Sequence, residues 1–357
     1  MQKQIHPGFE LKNTLDSLGW SQRDLSYLLE VSNSHINNIL SGNRSITSEI
    51  AIKLEAADLG SARDWLHKQL EWDLAIVTEE TSEETKAISL WQSIQKRIPL
   101  NYFKKHGLLV SDRSEDIHNI LKVYKVNSVS EFNSMIDEYN FVHFRKSAAF
   151  VEMKENVVAW SMLAEYKVSQ LECIGSFNKD SKDELVKKLQ KLFLLNDGLN
   201  DKVKILLSQY GIKFDILDRP PKTPVDGKSF LSIGIPSIVL TSRYKRLDNF
   251  AFTLMHELGH VFLHLTKSKY REHSFFTNNT ENDQLEFEAN NFARNELIST
   301  KQWEDFLTRY LTYNDDAIEE YSNEIEVHQA IIRGRLCFEY PKYYRRKSRI
   351  NDINKVL

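Results

Sequence analysis

Cysteine is scarce. Cys173 and Cys337 are the two in 357 residues, far apart and without a CxxC partner. That excludes a disulfide framework and makes a reducing compartment the natural setting. Both cysteines read as structural rather than as ligands or nucleophiles. Glycine and proline are also few, 12 and 7, which excludes collagen-like and proline-rich spacer proteins. No excess of positive charge exists: 47 basic residues face 50 acidic ones, for a net charge of −3. No global field therefore advertises nucleic acid, and any DNA contact must be local. No apolar run approaches the ~18 residues of a membrane helix; the longest candidate, 250–265, is interrupted by His256, Glu257 and His260. The opening segment MQKQIHPGFELK has no apolar stretch of the kind a signal peptide carries. The expectation is a cytoplasmic globular protein with no membrane partner.

What is present is dense helical punctuation. Phe9, Leu11, Leu15 and Leu18 mark one helical face closed by Gly19. Ser21 precedes QRDLSYLL with Asp24 three residues on, an acidic capping box. Ser32, Thr47 and Ser61 open three further amphipathic runs, which predicts five short helices in the first 78 residues. The acidic stretch EETSEET at 79–85 reads as a linker, and helical patterns continue to Gly211. The period then changes. Ile212, Phe214 and Ile216 alternate, and SFLSIG and PSIVLTS read as two more short strands. Helices are expected over 249–265 and 284–298, with the polar segment between them, KSKYREHSFFTNNTEND, as a loop. The basic tail KYYRRKSR at 342–349 reads as a frayed, solvated terminus. The fold class expected is mainly α with a small β-sheet, α+β.

The sharpest chemical signal is His256-Glu257-Leu258-Gly259-His260. Two histidines four apart on a helix face the same way, ~6 Å apart at Cβ, the bite a tetrahedral Zn²⁺ takes from two imidazoles. Glu257 projects about a quarter turn away, where it can take a proton rather than ligate. A third ligand is needed, and the next helix is rich in acids: Glu281, Asp283, Glu286 and Glu288. Glu286 and Asn290 share a face, so Glu286 can ligate while Asn290 orients a histidine. Glu288 lies about 200° around the helix and reads as solvated; spacing alone leaves the choice between Glu286 and Glu288 open. His264 can bind substrate or fill a packing role. Arg243, Tyr244, His264 and His273 are candidates for the donor that steadies a developing oxyanion.

Residues 21–40 read helix, short turn, helix, the spacing of a helix-turn-helix whose second helix enters the major groove. The candidate DNA-facing residues are Gln22 at the start of the first helix, Ser32, Asn33, Ser34, His35, Asn37 and Asn38 on the second, and Asn43 and Arg44 beyond it. Residues 1–48 are neutral: Lys3, Lys12, Arg23 and Arg44 balance Glu10, Asp16, Asp24 and Glu30. A neutral module binds phosphate weakly alone, so a homodimer on a palindromic operator is expected.

These residues carry two resemblances. Segments HPGFELKNTLDSLGWSQRDLS, NNILSGNRSITSEIAIKL and RDWLHKQLEWDL resemble the Xre/Cro-type regulators, more narrowly the HigA-like antitoxins. HELGHVFLH followed by EFEANNFARNELI resembles the ImmA/IrrE-type zinc metallopeptidases, with FRKS at 144–147, GIKFDIL, Asp226–Gly227 and EVHQAIIRGRL in support. One departure is the run NELIST, which lacks the family's proline at the helix exit. The second resemblance implies a gluzincin-type domain holding one Zn²⁺ per chain on His256, His260 and Glu286, with Glu257 as base. The organisation expected is a regulator domain at 1–78, an acidic linker and helical connector at 79–140, a peptidase domain at 141–300, and a helical extension with a basic tail at 301–357. The function implied is a DNA-binding regulator that cleaves a repressor or antitoxin partner in a stress, phage or toxin–antitoxin setting, with a toxin as a further partner. The alternative is a catalytically silent repressor whose zincin domain senses or dimerises.

Overall fold

A computed structural model describes residues 5–143, 154–242, 245–270, 274–277 and 284–356. The chain divides into two compact units, Met1–Leu90 and Trp91–Leu357.

In the first unit the helices are α1 (Pro7–Leu18), α2 (Gln22–Leu28), α3 (Asn33–Leu40), α4 (Ser48–Ala56) and α5 (Ala62–Glu80). Their starts follow the polar caps. The Ser21–Asp24 box forms in both directions, and the side chains of Ser32, Thr47 and Ser61 accept backbone N–H bonds from His35, Ile50 and Asp64. Leu11, Leu15, Leu25, Ile36, Ile39, Ile50, Leu54 and Trp65 form the shared core. Gly8 lets α1 lie against α3, since a Cβ there would stand 1.8 Å from the Ile39 carbonyl oxygen. The stretch 79–85 differs from the loop expected of a linker. It is helical, with α5 running to Glu80 and α6 spanning Ser82–Gln95. No glycine or proline interrupts it, glutamate favours helix, and Glu83 pairs with Lys86 one turn on at 2.7 Å.

The second unit opens with α7 (Leu100–Lys105), α8 (Arg113–Tyr124), α9 (Val129–His143), α10 (Lys154–Ser169), α11 (Lys182–Leu195) and α12 (Leu199–Gln209). Strands β1 (Lys213–Leu217), β2 (Gly227–Ser232), β3 (Ile235–Thr241) and β4 (Phe275–Thr277) form a sheet in the order β1-β3-β2-β4. β1 runs parallel to β3, while β2 is antiparallel to both β3 and β4. β4 was not expected: three residues flanked by polar ones offer no readable alternation. Ile238 and Leu240 join the cluster that holds α13 (Leu247–Gly259), while Val239 between them joins the cluster that holds Trp160 of α10. The period of two thus sandwiches the sheet between α13 and α10. Helices α14 (Gln284–Leu297), α15 (Thr300–Arg309), α16 (Asp315–Ile325) and α17 (Gln329–Glu339) complete the α13 side. Among the described residues no helix is long and apolar enough to cross a membrane.

The tail departs from the frayed terminus expected. Tyr343 and Ile350 are buried, Arg349 Nη2 lies 2.8 Å from Asp316, and a last turn, α18, spans Ile350–Ile353. Apolar anchors between the charges dock it. Asn354 then accepts a bond from the Asp248 N–H at 3.2 Å, and Val356 N–H donates to the Lys245 carbonyl at 3.1 Å. Arg246 at the N-cap of α13 makes no side-chain cap, so Asn354 serves that helix start from a distance of 106 residues along the chain.

Behind β2 lies a buried charge. Lys228 is 0 % exposed; its Nζ donates to Ser161 Oγ at 2.6 Å and to Glu165. Glu165 also binds Lys125 at 2.7 Å. Burial pushes the Glu165 carboxyl up, but Lys228 and Lys125 outweigh it and hold it at about 2. Its contribution to stability is present above the ordinary carboxylate range and is lost as pH falls through about 2. Lys228→Met removes the buried partner and should cost about 3–5 kcal/mol, read as a lowered thermal midpoint at neutral pH; an unchanged midpoint would mean that Lys125 alone satisfies Glu165.

Candidate metal centre and helix-turn-helix face

Helix α13 is buried on nearly every side. Phe250, Ala251, Leu254, Met255 and Leu258 join the core, and His256, Glu257 and His260 are buried with them. Helix α14 packs tightly against it because the contacting residues are small. A Cβ on Gly259 would stand 3.0 Å from Ala289 Cα and 3.2 Å from Phe292 Cβ. That approach carries Glu286 and Asn290 to the histidines.

His256 Nε2 lies 3.0 Å from His260 Nε2. Glu286 stands 3.3 Å from the first and 3.2 Å from the second. Ligands on a tetrahedral ion at ~2.0–2.1 Å are spaced ~3.3 Å apart, so the triangle fits a Zn²⁺-sized cation. The outward nitrogens are held as well. His256 Nδ1 lies 2.9 Å from Asn290 Oδ1, an amide oxygen that only accepts. His256 therefore donates through Nδ1 and keeps the Nε2 lone pair for the centre. His260 Nδ1 lies 3.0 Å from His264 Nδ1, and His264 Nε2 lies 3.1 Å from Glu288. The Glu288 carboxylate takes the His264 Nε2 proton, His264 Nδ1 accepts from His260, and His260 Nε2 is again left to ligate.

Glu288 was expected to face solvent. Its side chain is 36 % exposed but binds His264, and Gln284 steadies its other oxygen at 2.9 Å. The reason is local: residues His260–Leu265 continue α13 as a π-helix rather than the regular helix expected, a widened turn frequent at functional sites. Among the described residues Glu286 alone joins His256 and His260 in a metal-sized group.

Burial pushes Glu286 up, but hydrogen bonds from both imidazoles outweigh it and hold the carboxyl at about 2. Burial pushes His260 down to about 4, which leaves it neutral and able to ligate. For His256 burial is outweighed by the Glu286 bond and the Glu257 charge, and the value rises. His264 is pushed down by burial against Glu288.

Glu257 is fully buried and turned toward Gly227, where an added Cβ would stand 2.5 Å from Glu257 Oε1. Residues missed from sequence include Phe275 of β4, whose ring stacks on His260 at 4.4 Å and 14°. Lys228 was missed too, and Gly227 was noted only within the Asp226–Gly227 resemblance, without its approach to Glu257; a glycine opening a strand and a lysine within one were the available signals. Arg243, Tyr244, His273, Glu281, Asp283 and the FRKS segment at 144–147 lie outside the described residues.

In the first unit, α2 and α3 present a polar face. Asn33, Ser34, Asn37, Asn43 and Arg44 are exposed, while His35 and Asn38 are half-buried. The Ser32 hydroxyl is occupied as the cap. Gln22 Nε2 donates to the Asn33 carbonyl at 2.9 Å, bracing the two helix starts, and Asn43 donates to Ser41 at 3.1 Å.

Comparison with known proteins matches both units. Residues 210–333 match the IrrE N-terminal-like domain of a peptidase family, and residues 11–58 match the helix-turn-helix family. The chain is 32% identical to virulence-associated protein A′ of Dichelobacter nodosus over 93 residues, 26% of this chain and 79% of that protein. It is 33% identical to the uncharacterized HTH-type transcriptional regulator YddM of Escherichia coli strain K12 over 75 residues, 21% of this chain and 80% of that one. Virulence-associated protein I of Dichelobacter nodosus is 35% identical over 98 residues, 27% and 82%.

Gly227→Ala should leave the fold and the three-residue group intact while displacing the Glu257 carboxylate. The expected result is unchanged metal content with peptidase activity down about 10²-fold; full activity would mean Glu257 works from another position.

Proposed function

Because the chain belongs to the helix-turn-helix regulators and carries an IrrE N-terminal-like peptidase domain, we propose that it is a DNA-bound zinc endopeptidase acting on a repressor or antitoxin partner. One observation carries the reading: His256, His260 and Glu286 form a buried, metal-sized triangle with Glu257 buried beside them. A bound Zn²⁺ would polarise the substrate carbonyl and acidify water. Asn290 and the His264–Glu288 pair hold the two imidazoles in the ligating tautomer. Glu257 accepts the proton of the attacking water and returns it to the leaving amine. Its burial excludes competing solvent.

The regulator unit addresses this activity. Asn33, Ser34 and Asn37 face the base edges, and Arg44 and Asn43 grip phosphate. Leu70, Leu74 and Val77 are exposed on one stripe of α5, spaced four and three apart, which suits a homodimer on a palindromic operator in the cytoplasm.

The test pairs wild type with Glu257→Gln, which keeps the ligands and removes the base. Stoichiometric zinc in both and partner cleavage by wild type alone is expected. Zinc in both with no cleavage of any protein encoded beside the gene would favour a zinc-stabilised repressor instead.

A further inference from the structure

A cavity lies beyond the proposed metal ligands on both α13 and α14. On α14, Glu286, Asn290 and Arg294 recur every fourth residue and share a face. On α13, Phe252 lies one turn before His256, with ring centroids 6.3 Å apart. Phe252 and Arg294 line the same cavity of about 330 Å³, and α17 closes it with Ile331, Arg335 and Phe338. That volume lies at the small end of the ~300–1,000 Å³ range of ligand sites.

The walls are largely apolar, but the charges are the telling part. Arg246 is spent on Asp248, with Nε 3.0 Å from Oδ1 and Nη2 on the other oxygen. Asp226 also lines the cavity and has an interaction of its own. Arg335 gives Nε to Glu339 at 2.9 Å and Nη1 to the Ile298 carbonyl at 2.8 Å. Its guanidinium sits over Trp303 at 4.5 Å. Arg294 differs. It is half-buried, its guanidinium lies over the Phe338 ring at 5.4 Å, and among the described residues it has neither a carboxylate nor a hydrogen-bond acceptor. Its charge is felt by another cation: burial pushes Arg335 down, Glu339 opposes this, and the Arg294 charge adds to the fall. Three guanidiniums border one largely apolar cavity; two are paired with carboxylates of this chain, and Arg294, lacking one among the described residues, calls for a carboxylate from outside.

We propose that this cavity is a substrate side-chain subsite that selects an acidic residue near the scissile bond, with Arg294 as its specificity-determining group. The proposal rests on the endopeptidase reading above. The cavity begins one helical turn, about 5.4 Å of rise, from both His256 and Asn290. A substrate chain lying across the metal ligands would therefore deliver a neighbouring side chain into it.

The experiment uses the zinc-loaded full chain and quenched peptide libraries in which Glu, Gln and Lys are exchanged position by position. Wild type should favour Glu over Gln at one position beside the cleaved bond by about 10- to 100-fold. Arg294→Gln should abolish that preference at unchanged zinc content, and Arg294→Glu should shift it toward Lys. Equal cleavage of Glu and Gln peptides by wild type, or a preference that survives Arg294→Gln, overturns the proposal. A second arm measures binding of Glu- and Gln-containing peptides to Glu257→Gln by calorimetry. If wild type cleaves no peptide, the endopeptidase reading fails, and this arm decides the subsite alone. Tighter binding of the Glu peptide that disappears in the Arg294→Gln double variant supports it, and equal binding sinks it.

Discussion

Two imidazole nitrogens and a carboxylate face one another at about 3 Å inside the protein. With both histidines neutral all three are acceptors, and lone pairs held that close repel unless a positive charge lies between them. A proton on His256 would answer the need partly, the direction in which the Glu286 bond and the Glu257 charge push that imidazole against its burial. A divalent cation answers it fully. The surrounding structure works to keep the three atoms in that opposition. Gly259 and Ala289 let α13 and α14 close, Asn290 and His264 turn the rings, and Glu257 is buried beside them. A cation bound there, as proposed above, would tie folding at this site to metal supply, because it would remove the cost of packing three acceptors together.

Much of this was legible in sequence because it is short-range. Ser21 with Asp24 announces a helix start, and two histidines four apart become one face as soon as the segment is helical. Glu286 with Asn290 follows the same rule one helix later. What escaped depended on geometry that periodicity does not carry. The Glu288 link to His264 requires the π-helical turn at 260–265. Phe275 reaches His260 through a strand of three residues, too short to alternate. Lys228 was hidden by its type: a lysine in a strand reads as an outward residue, yet Glu165 and Ser161 take it into the interior. The tail was misread because its charges outnumber its anchors, although Tyr343 and Ile350 are enough to dock it.

The two units are built on opposite electrostatic logics. The helix-turn-helix face is exposed and made mostly of amides and hydroxyls, with Arg44 beside them. The second unit pairs its charges with one another, and Lys228 with Glu165 does so in the interior. Lys228 with Glu165, Arg246 with Asp248 and Arg335 with Glu339 are paired against the sheet or between helices. Within that economy an arginine lacking an anion stands out.

The remote cap on α13 has a temporal meaning. The Asp248 N–H, in the first turn of the helix bearing His256, waits for Asn354, 106 residues downstream. At the ~5–20 residues per second of synthesis, that interval is on the order of 5–20 s. The helix-turn-helix unit, complete in its own core by Trp65, can fold while the histidine helix still lacks the partner for its start. A nascent chain of this protein has a whole helix-turn-helix unit before its histidine helix has a finished start.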